Sequence, residues 1–242
     1  MFVVKTQVDV TVAWEKYMSS INLLEVSAMK QTRNCSLVLL GDSYTTFAGH
    51  IPEGNWTYYP RADVPEVTDA EMTWWRLLIH ARALHLLCNE SSSGTTLSTR
   101  VRPEHTPKDA FISRMKRVLG PEGVQGEKPE LILILGGTND SWIGNEAGEL
   151  QFEGWSDESL KETLPAACYM LDYITRHNPN AAILFILNSD LRPEIAEGLV
   201  AACAHYGVAL VRLADISKQC GHPDAQGMKQ IAAQVGRALD AL

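Results

Sequence analysis

The chain has 242 residues, 45% of them apolar, and a formal net charge of −8. That length suits one large domain, and that apolar share fills a core without a metal or disulfide staple. The acidic balance excludes a polyanion partner, so no nucleic acid is expected, because phosphate binding needs a basic face.

Residues 1–33 fit the rest poorly. Positions 1–13 alternate weakly, 14–29 form a marginal amphipathic helix, and Met29-Lys30-Gln31 reads as a second start. The expected division is an N-terminal extension over 1–33, with 1–28 outside the domain proper, and one domain over 34–242. No apolar run approaches the ~20 residues of a membrane span. Gln7 and Asp9 interrupt the opening apolar run before a secretory signal forms. The chain as given therefore reads as cytoplasmic, with export open if a leader has been removed. The five cysteines are odd in number and scattered, without CxxC or Cys/His ligand spacing, so no metal site is expected. They read as small core residues in a reducing compartment.

From Cys35 onward, short apolar runs alternate with helical patterns. Strands are expected at Ser36–Leu40, Leu86–Asn89, Leu131–Leu135, Ala182–Leu187 and Val208–Leu213. The first helix should start from Asp69 as N-cap and carry Trp74, Leu77, Leu78, Ala81 and Leu84 on its apolar side. A second covers about Lys108–Leu119. A third should run from Ser156 or Asp157 to His177, with Pro165 kinking it. The fourth spans Pro193–Tyr206 and ends at Gly207, and the last runs from Asp224 to Leu242. Strands nearly continuous in Leu, Ile and Val are buried on both faces, which means a parallel sheet between helices.

Four segments carry chemistry. Gly41-Asp42-Ser43 ends the first apolar run and puts a hydroxyl at the carboxyl end of a strand, where α/β sheets bind ligands. Asn89-Glu90-Ser91-Ser92-Ser93-Gly94 follows the second strand, and its glycine lets backbone approach a ligand closely. Gly136-Gly137-Thr138-Asn139-Asp140 follows the third, and an Asn amide is a good neutral donor for an oxyanion, though the same residues suit an Asx turn. Gly221-His222-Pro223-Asp224 precedes the last helix, and a histidine held there can serve a serine as general base. Four other histidines have blander settings, with His80 and His85 inside a helix and His177 and His205 near helix ends. Taken singly, each segment is also an ordinary turn.

In combination and in this order, the four segments resemble the SGNH, or GDSL-type, hydrolases from Cys35 to the end of the chain. The resemblance implies a three-layer α/β/α, flavodoxin-like fold with a parallel five-stranded sheet. It implies Ser43 as nucleophile and His222 as base, with the Ser43 and Gly94 N–H groups and the Asn139 side chain as oxyanion hole. No metal or organic cofactor is required. The chain departs from the family where an Asp three residues before the histidine is usual, because Gln219 stands there. Gln219, Asp215 or a nearby backbone carbonyl is the expected partner of His222, giving a Ser–His dyad or a non-standard third member.

Aromatic residues surround these segments. Trp56 and Trp142 are expected pocket walls, Asp42 and Tyr44 pocket neighbours of Ser43, and at least one of Trp74 and Trp75 a core residue. Arg61, Arg100 and Arg102 read as solvated surface charges, with a substrate carboxylate as the alternative. The expected activity is hydrolysis of small acyl esters, acetyl foremost, on a small-molecule or carbohydrate substrate. A lipid esterase or acyl-thioesterase is the second reading, and a catalytically silent carbohydrate-binding module the third.

Overall fold

The computed structural model describes residues 34–242, so the expected N-terminal extension lies outside the described residues. Five parallel strands form one sheet in the order β2-β1-β3-β4-β5. They are β1 (Ser36–Gly41), β2 (His85–Ser91), β3 (Leu131–Leu135), β4 (Ala182–Leu187) and β5 (Ala209–Arg212). Among the described residues, six α-helices accompany them: α1 (Trp74–Arg82), α2 (Phe111–Val118), α3 (Thr138–Trp142), α4 (Thr163–His177), α5 (Pro193–His205) and α6 (Ala225–Leu239). This is the expected α/β fold, with a five-stranded parallel sheet flanked by helices. No helix among the described residues is long and apolar enough to cross a membrane.

Alternation along the strands builds two cores. Leu37, Leu39, Leu133 and Ile186 face α1 and α6, while Val38, Leu40, Ile134 and Phe185 face α2, α4 and α5. Trp74 and Trp75 are both buried in the first core, so neither reaches the solvent. The Trp74 indole N–H donates to the Tyr44 carbonyl at 3.1 Å, tying α1 to the segment after β1.

Several expected elements shift. Asp69 caps a 3-10 turn (Ala70–Met72), accepting from the Glu71 N–H at 2.9 Å, and α1 starts only at Trp74. Residues 156–162 form a separate turn, so Pro165 falls at the third position of α4. A proline there removes an N–H that has no intrahelical acceptor anyway, so no kink is required. His85 opens β2 instead of lying in a helix. Gly136–Asn139 leads into the short helix α3 instead of an Asx turn. A two-stranded antiparallel hairpin, β6 (Lys218–Gln219) and β7 (His222–Pro223), was not expected from the sequence.

Candidate active site

The chain passes from β1 to β2 on one side of the sheet and returns to β3 on the other, so connections diverge at the carboxyl ends of β1 and β3. Ligands of open α/β sheets bind at such a divergence. Ser43, Gly94 and Asn139 follow the ends of β1, β2 and β3, and the hairpin carries His222 into the same place.

β1 turns sharply at Gly41. A Cβ there would stand 2.6 Å from Thr45 Oγ1 and 2.7 Å from Ser91 Oγ, so the close approach of β1, β2 and the turn needs glycine. The turn continues as a 3-10 helix, Ser43–Thr45, capped by Asp42, whose Oδ1 accepts from the Tyr44 N–H at 3.1 Å. Asp42 is fully buried, and that burial pushes its carboxyl up to about 7. Tyr44 is also fully buried, and its hydroxyl donates to the Gly221 carbonyl at 2.6 Å. The expectation that Asp42 and Tyr44 line the pocket is therefore corrected. One caps the turn of Ser43, and the other fastens that turn to the hairpin of His222.

The hairpin loop is Cys220-Gly221, with φ of +50 and +78. Positive φ at both central residues is what a type I′ turn requires. This conformation places the Cys220 carbonyl 3.2 Å from His222 Nδ1, and the opposite nitrogen, Nε2, lies 2.9 Å from Ser43 Oγ. A carbonyl only accepts, so Nδ1 carries the proton and Nε2 presents its lone pair to the serine hydroxyl. Gln219 and Asp215, the side chains expected to partner the imidazole, make no hydrogen bond to it. Gln219 sits opposite His222 in the hairpin register, but its side chain is exposed while the imidazole is buried. Asp215 lies earlier, in a left-handed conformation at φ +54. Asp224 is engaged as N-cap of α6, accepting from the Gly227 N–H at 2.8 Å and from Ser217 Oγ at 2.6 Å. Cys168 and Cys203 are buried as expected, but Cys220, whose carbonyl is used, is exposed and Cys35 and Cys88 are half-buried, which corrects the reading of all five as core residues.

Burial pulls His222 down to about 4, opposed by its bond to the Cys220 carbonyl and by Asp63. Tyr58 stacks on the imidazole at 3.6 Å between centroids, with 13° between planes, which supplies much of that burial. Tyr59 donates to the Pro223 carbonyl at 2.7 Å. Neither tyrosine carries a sequence signal for holding His222, since the contacts join residues far apart in the chain.

Across the site, Gly94 adopts φ +78, and a Cβ there would meet His105 Nε2 at 2.6 Å. Asn139 Nδ2 donates to the Thr95 carbonyl at 2.9 Å, which leaves its second amide hydrogen for a ligand. Asp140 holds the same loop through Leu97 N–H at 2.8 Å and Ser98 Oγ at 3.0 Å. The buried Arg114 reaches from α2 to the Gly41 carbonyl and Thr95 Oγ1, both at 3.0 Å, and to the Glu90 carbonyl. It joins the ends of β1 and β2 to the Gly94 loop. Among the described residues, no hydrogen bond uses the Ser43 or Gly94 amide N–H. The geometry thus assembles a hydroxyl, a neutral imidazole aimed at it, and three polar N–H groups with capacity to spare. Such a set can attack an ester carbonyl and hold the oxyanion that forms.

The cleft above Ser43 holds about 280 Å³. Trp56 and Trp142 line it and are 49% and 45% exposed, and Trp142 meets the His222 ring edge-on at 5.6 Å. Trp142 is the last residue of α3. Arg102, Glu104 and His105 line the cleft too, with His105 edge-on to Trp56 at 5.2 Å. His105 carried no sequence signal, since nothing in the run Pro103–Thr106 shows that it folds back against Gly94.

The family profile for GDSL-like lipase/acylhydrolase matches residues 35–239, and the chain belongs to that family. It is accordingly a carboxylic ester hydrolase, which displaces the silent-module reading. Two solved structures described as GDSL-like lipases are similar along most of the chain. The one from Bacteroides ovatus is 35% identical, covering 86% of this chain and 99% of its own, with a TM-score of 0.79. The one from Bacteroides uniformis is 36% identical, covering 88% and 99%, with a TM-score of 0.80. A family two carbohydrate esterase from Clostridium thermocellum, in complex with cellohexaose, shares the fold at 16% identity and a TM-score of 0.58, over 86% of this chain and 64% of its own. No curated protein matches the chain.

Proposed function

We propose that this acylhydrolase removes small acyl groups, acetyl foremost, from hydroxyls of a carbohydrate, through a Ser43 acyl-enzyme. The observation that carries the reading is the continuous arrangement from the Cys220 carbonyl through His222 to Ser43 Oγ, at 3.2 and 2.9 Å. Ser43 Oγ attacks the ester carbonyl while Nε2 takes its proton. The tetrahedral oxyanion is held by the Ser43 and Gly94 N–H groups and the Asn139 amide. The imidazolium then protonates the departing alkoxide, and the C–O bond to the alcohol breaks. Water enters, gives its proton to the same nitrogen and releases the acid, restoring Ser43. The Cys220 carbonyl fixes the tautomer but supplies no full charge, so His222 stabilises its protonated form through geometry more than through a carboxylate.

A cleft this small, with Trp56 and Trp142 exposed at its walls, suits an acetyl group and the faces of a sugar ring. The cellohexaose complex of the carbohydrate esterase that shares this fold supports the sugar part of the reading. A nitrophenyl ester series separates this from a lipid esterase. Rates are expected to be highest for acetate and to fall by about tenfold or more by octanoate, as a chain outgrows the cleft. Rates that climb toward octanoate would favour a lipid substrate, and activity undiminished in Ser43→Ala would remove the esterase assignment of this site.

A further inference from the structure

The three arginines singled out in the sequence have different settings in the structure. Arg61 pairs with Asp63 at 2.8 Å and Arg100 with Glu146 at 3.5 Å, both with side chains about half exposed. Arg102 has no ion pair among the described residues, although it is half-buried and lines the cleft. Its Nη2 donates to Asn139 Oδ1 at 3.4 Å, a long contact, and its Nε is buried without a partner among the described residues. A guanidinium presents five donors in a rigid fork that matches a carboxylate, and here most of that capacity is unused.

Holding Asn139 does not account for this side chain. The Asn139 amide is already oriented by its 2.9 Å bond to the Thr95 carbonyl. The charge balance of the cleft points the same way. Of the charged residues lining the cleft, Arg61 is paired with Asp63, which leaves Arg102 and the exposed Glu104, and these two form no ion pair with each other. A cation kept unpaired beside a reacting serine is a recognition element for an anionic group.

We propose that Arg102 binds a carboxylate on the alcohol part of the ester, so that the preferred substrates are small acyl esters of acidic alcohols such as carboxylate-bearing sugars. This rests on the esterase reading above. An acetyl group has no room for a second charge, which places the carboxylate on the alcohol side. Glu104, which also lines the cleft, tempers the attraction, while Arg102 discourages the opposite class, cationic alcohols.

The test compares 4-acetoxybenzoate with 4-acetoxybenzamide, each rate divided by its hydroxide-catalysed rate to remove intrinsic reactivity. Wild type is expected to favour the benzoate by about tenfold in kcat/KM, a typical effect of one charge-assisted contact, with the preference shrinking as salt is added. Arg102→Gln should erase that preference, Arg102→Lys should keep part of it, and Glu104→Gln should increase it. Equal normalised rates in wild type would overturn the proposal, as would an Arg102→Gln loss equal on both esters, the signature of a residue that only positions Asn139. Should Arg102→Gln fail to fold, the salt dependence and Glu104→Gln decide in the same way. If wild type turns over neither ester while Ser43 still reacts with a fluorophosphonate, the carboxylate proposal fails and the esterase reading stands. If Ser43→Ala is as active as wild type, the esterase reading fails first.

Discussion

Ser43→Ala is expected to lower kcat/KM for a small acetyl ester by about 10⁴-fold or more, and His222→Ala by a similar factor. The two residues are 2.9 Å apart and act on one proton, so the double variant should be scarcely worse than either single one. What survives is catalysis by the oxyanion donors and by binding alone. The hydroxyl is not a structural necessity of its turn. Asp42 supplies the cap, and Thr46 Oγ1 bonds to the Ser43 carbonyl, not to its side chain. Ser43→Ala should therefore fold with an unchanged melting temperature, and steady-state kinetics on the purified variant give the answer. A loss of less than tenfold, or effects of the two substitutions that simply multiply, would mean that some other pair carries the reaction.

Asn139→Ala is the next largest effect, about 10²- to 10³-fold in kcat with KM little changed. The Asn139 amide gives one hydrogen to the Thr95 carbonyl and keeps one for the oxyanion. That hydrogen does more for the tetrahedral intermediate, where negative charge has developed, than for the ground-state carbonyl, so the loss should fall on kcat. Asp140 still fastens α3 to the loop after Gly94 through Leu97 and Ser98, which preserves the frame around the missing amide. Single-turnover and steady-state rates on one acetyl ester check the division. A raised KM with intact kcat would place Asn139 in substrate binding instead.

Much of the fold was legible because the physics is local. Leu131–Leu135 and Ala182–Leu187 are apolar runs of strand length, and the structure keeps those boundaries. The segments bearing Ser43, Gly94 and Asn139 could be placed because each follows directly on such a run. What escaped was set by contacts between distant residues or by backbone groups. The hairpin of β6 and β7 has strands of two residues, too short for any periodicity. The partner of His222 Nδ1 is a main-chain carbonyl, which every residue possesses, so no side-chain pattern announces it. Attention went to Gln219 and Asp215 because only side chains can be read from a sequence. Tyr58 lies 164 positions before the ring it stacks on, and Arg114 joins two strand ends from a helix that reads as ordinary amphipathic sequence. Asp69 and Pro165 were misread for a different reason. Both helices start later than expected: α1 at Trp74, after the 3-10 turn that Asp69 caps, and α4 at Thr163, after another such turn and two residues before Pro165.

The central claim is that a neutral, carbonyl-oriented His222 activates Ser43, and its most direct test is the pH dependence of fluorophosphonate labelling with the site read by mass spectrometry. The base works only when deprotonated, so reactivity should rise with pH through the value in the folded protein and stay level above it. Burial holds His222 near 4, well under the ordinary 6.5. Labelling should therefore fall on Ser43, remain at its plateau down to about pH 5, halve near pH 4, and disappear in His222→Ala. Labelling at another residue, or a plateau that already breaks near pH 6.5, would contradict this account of the site.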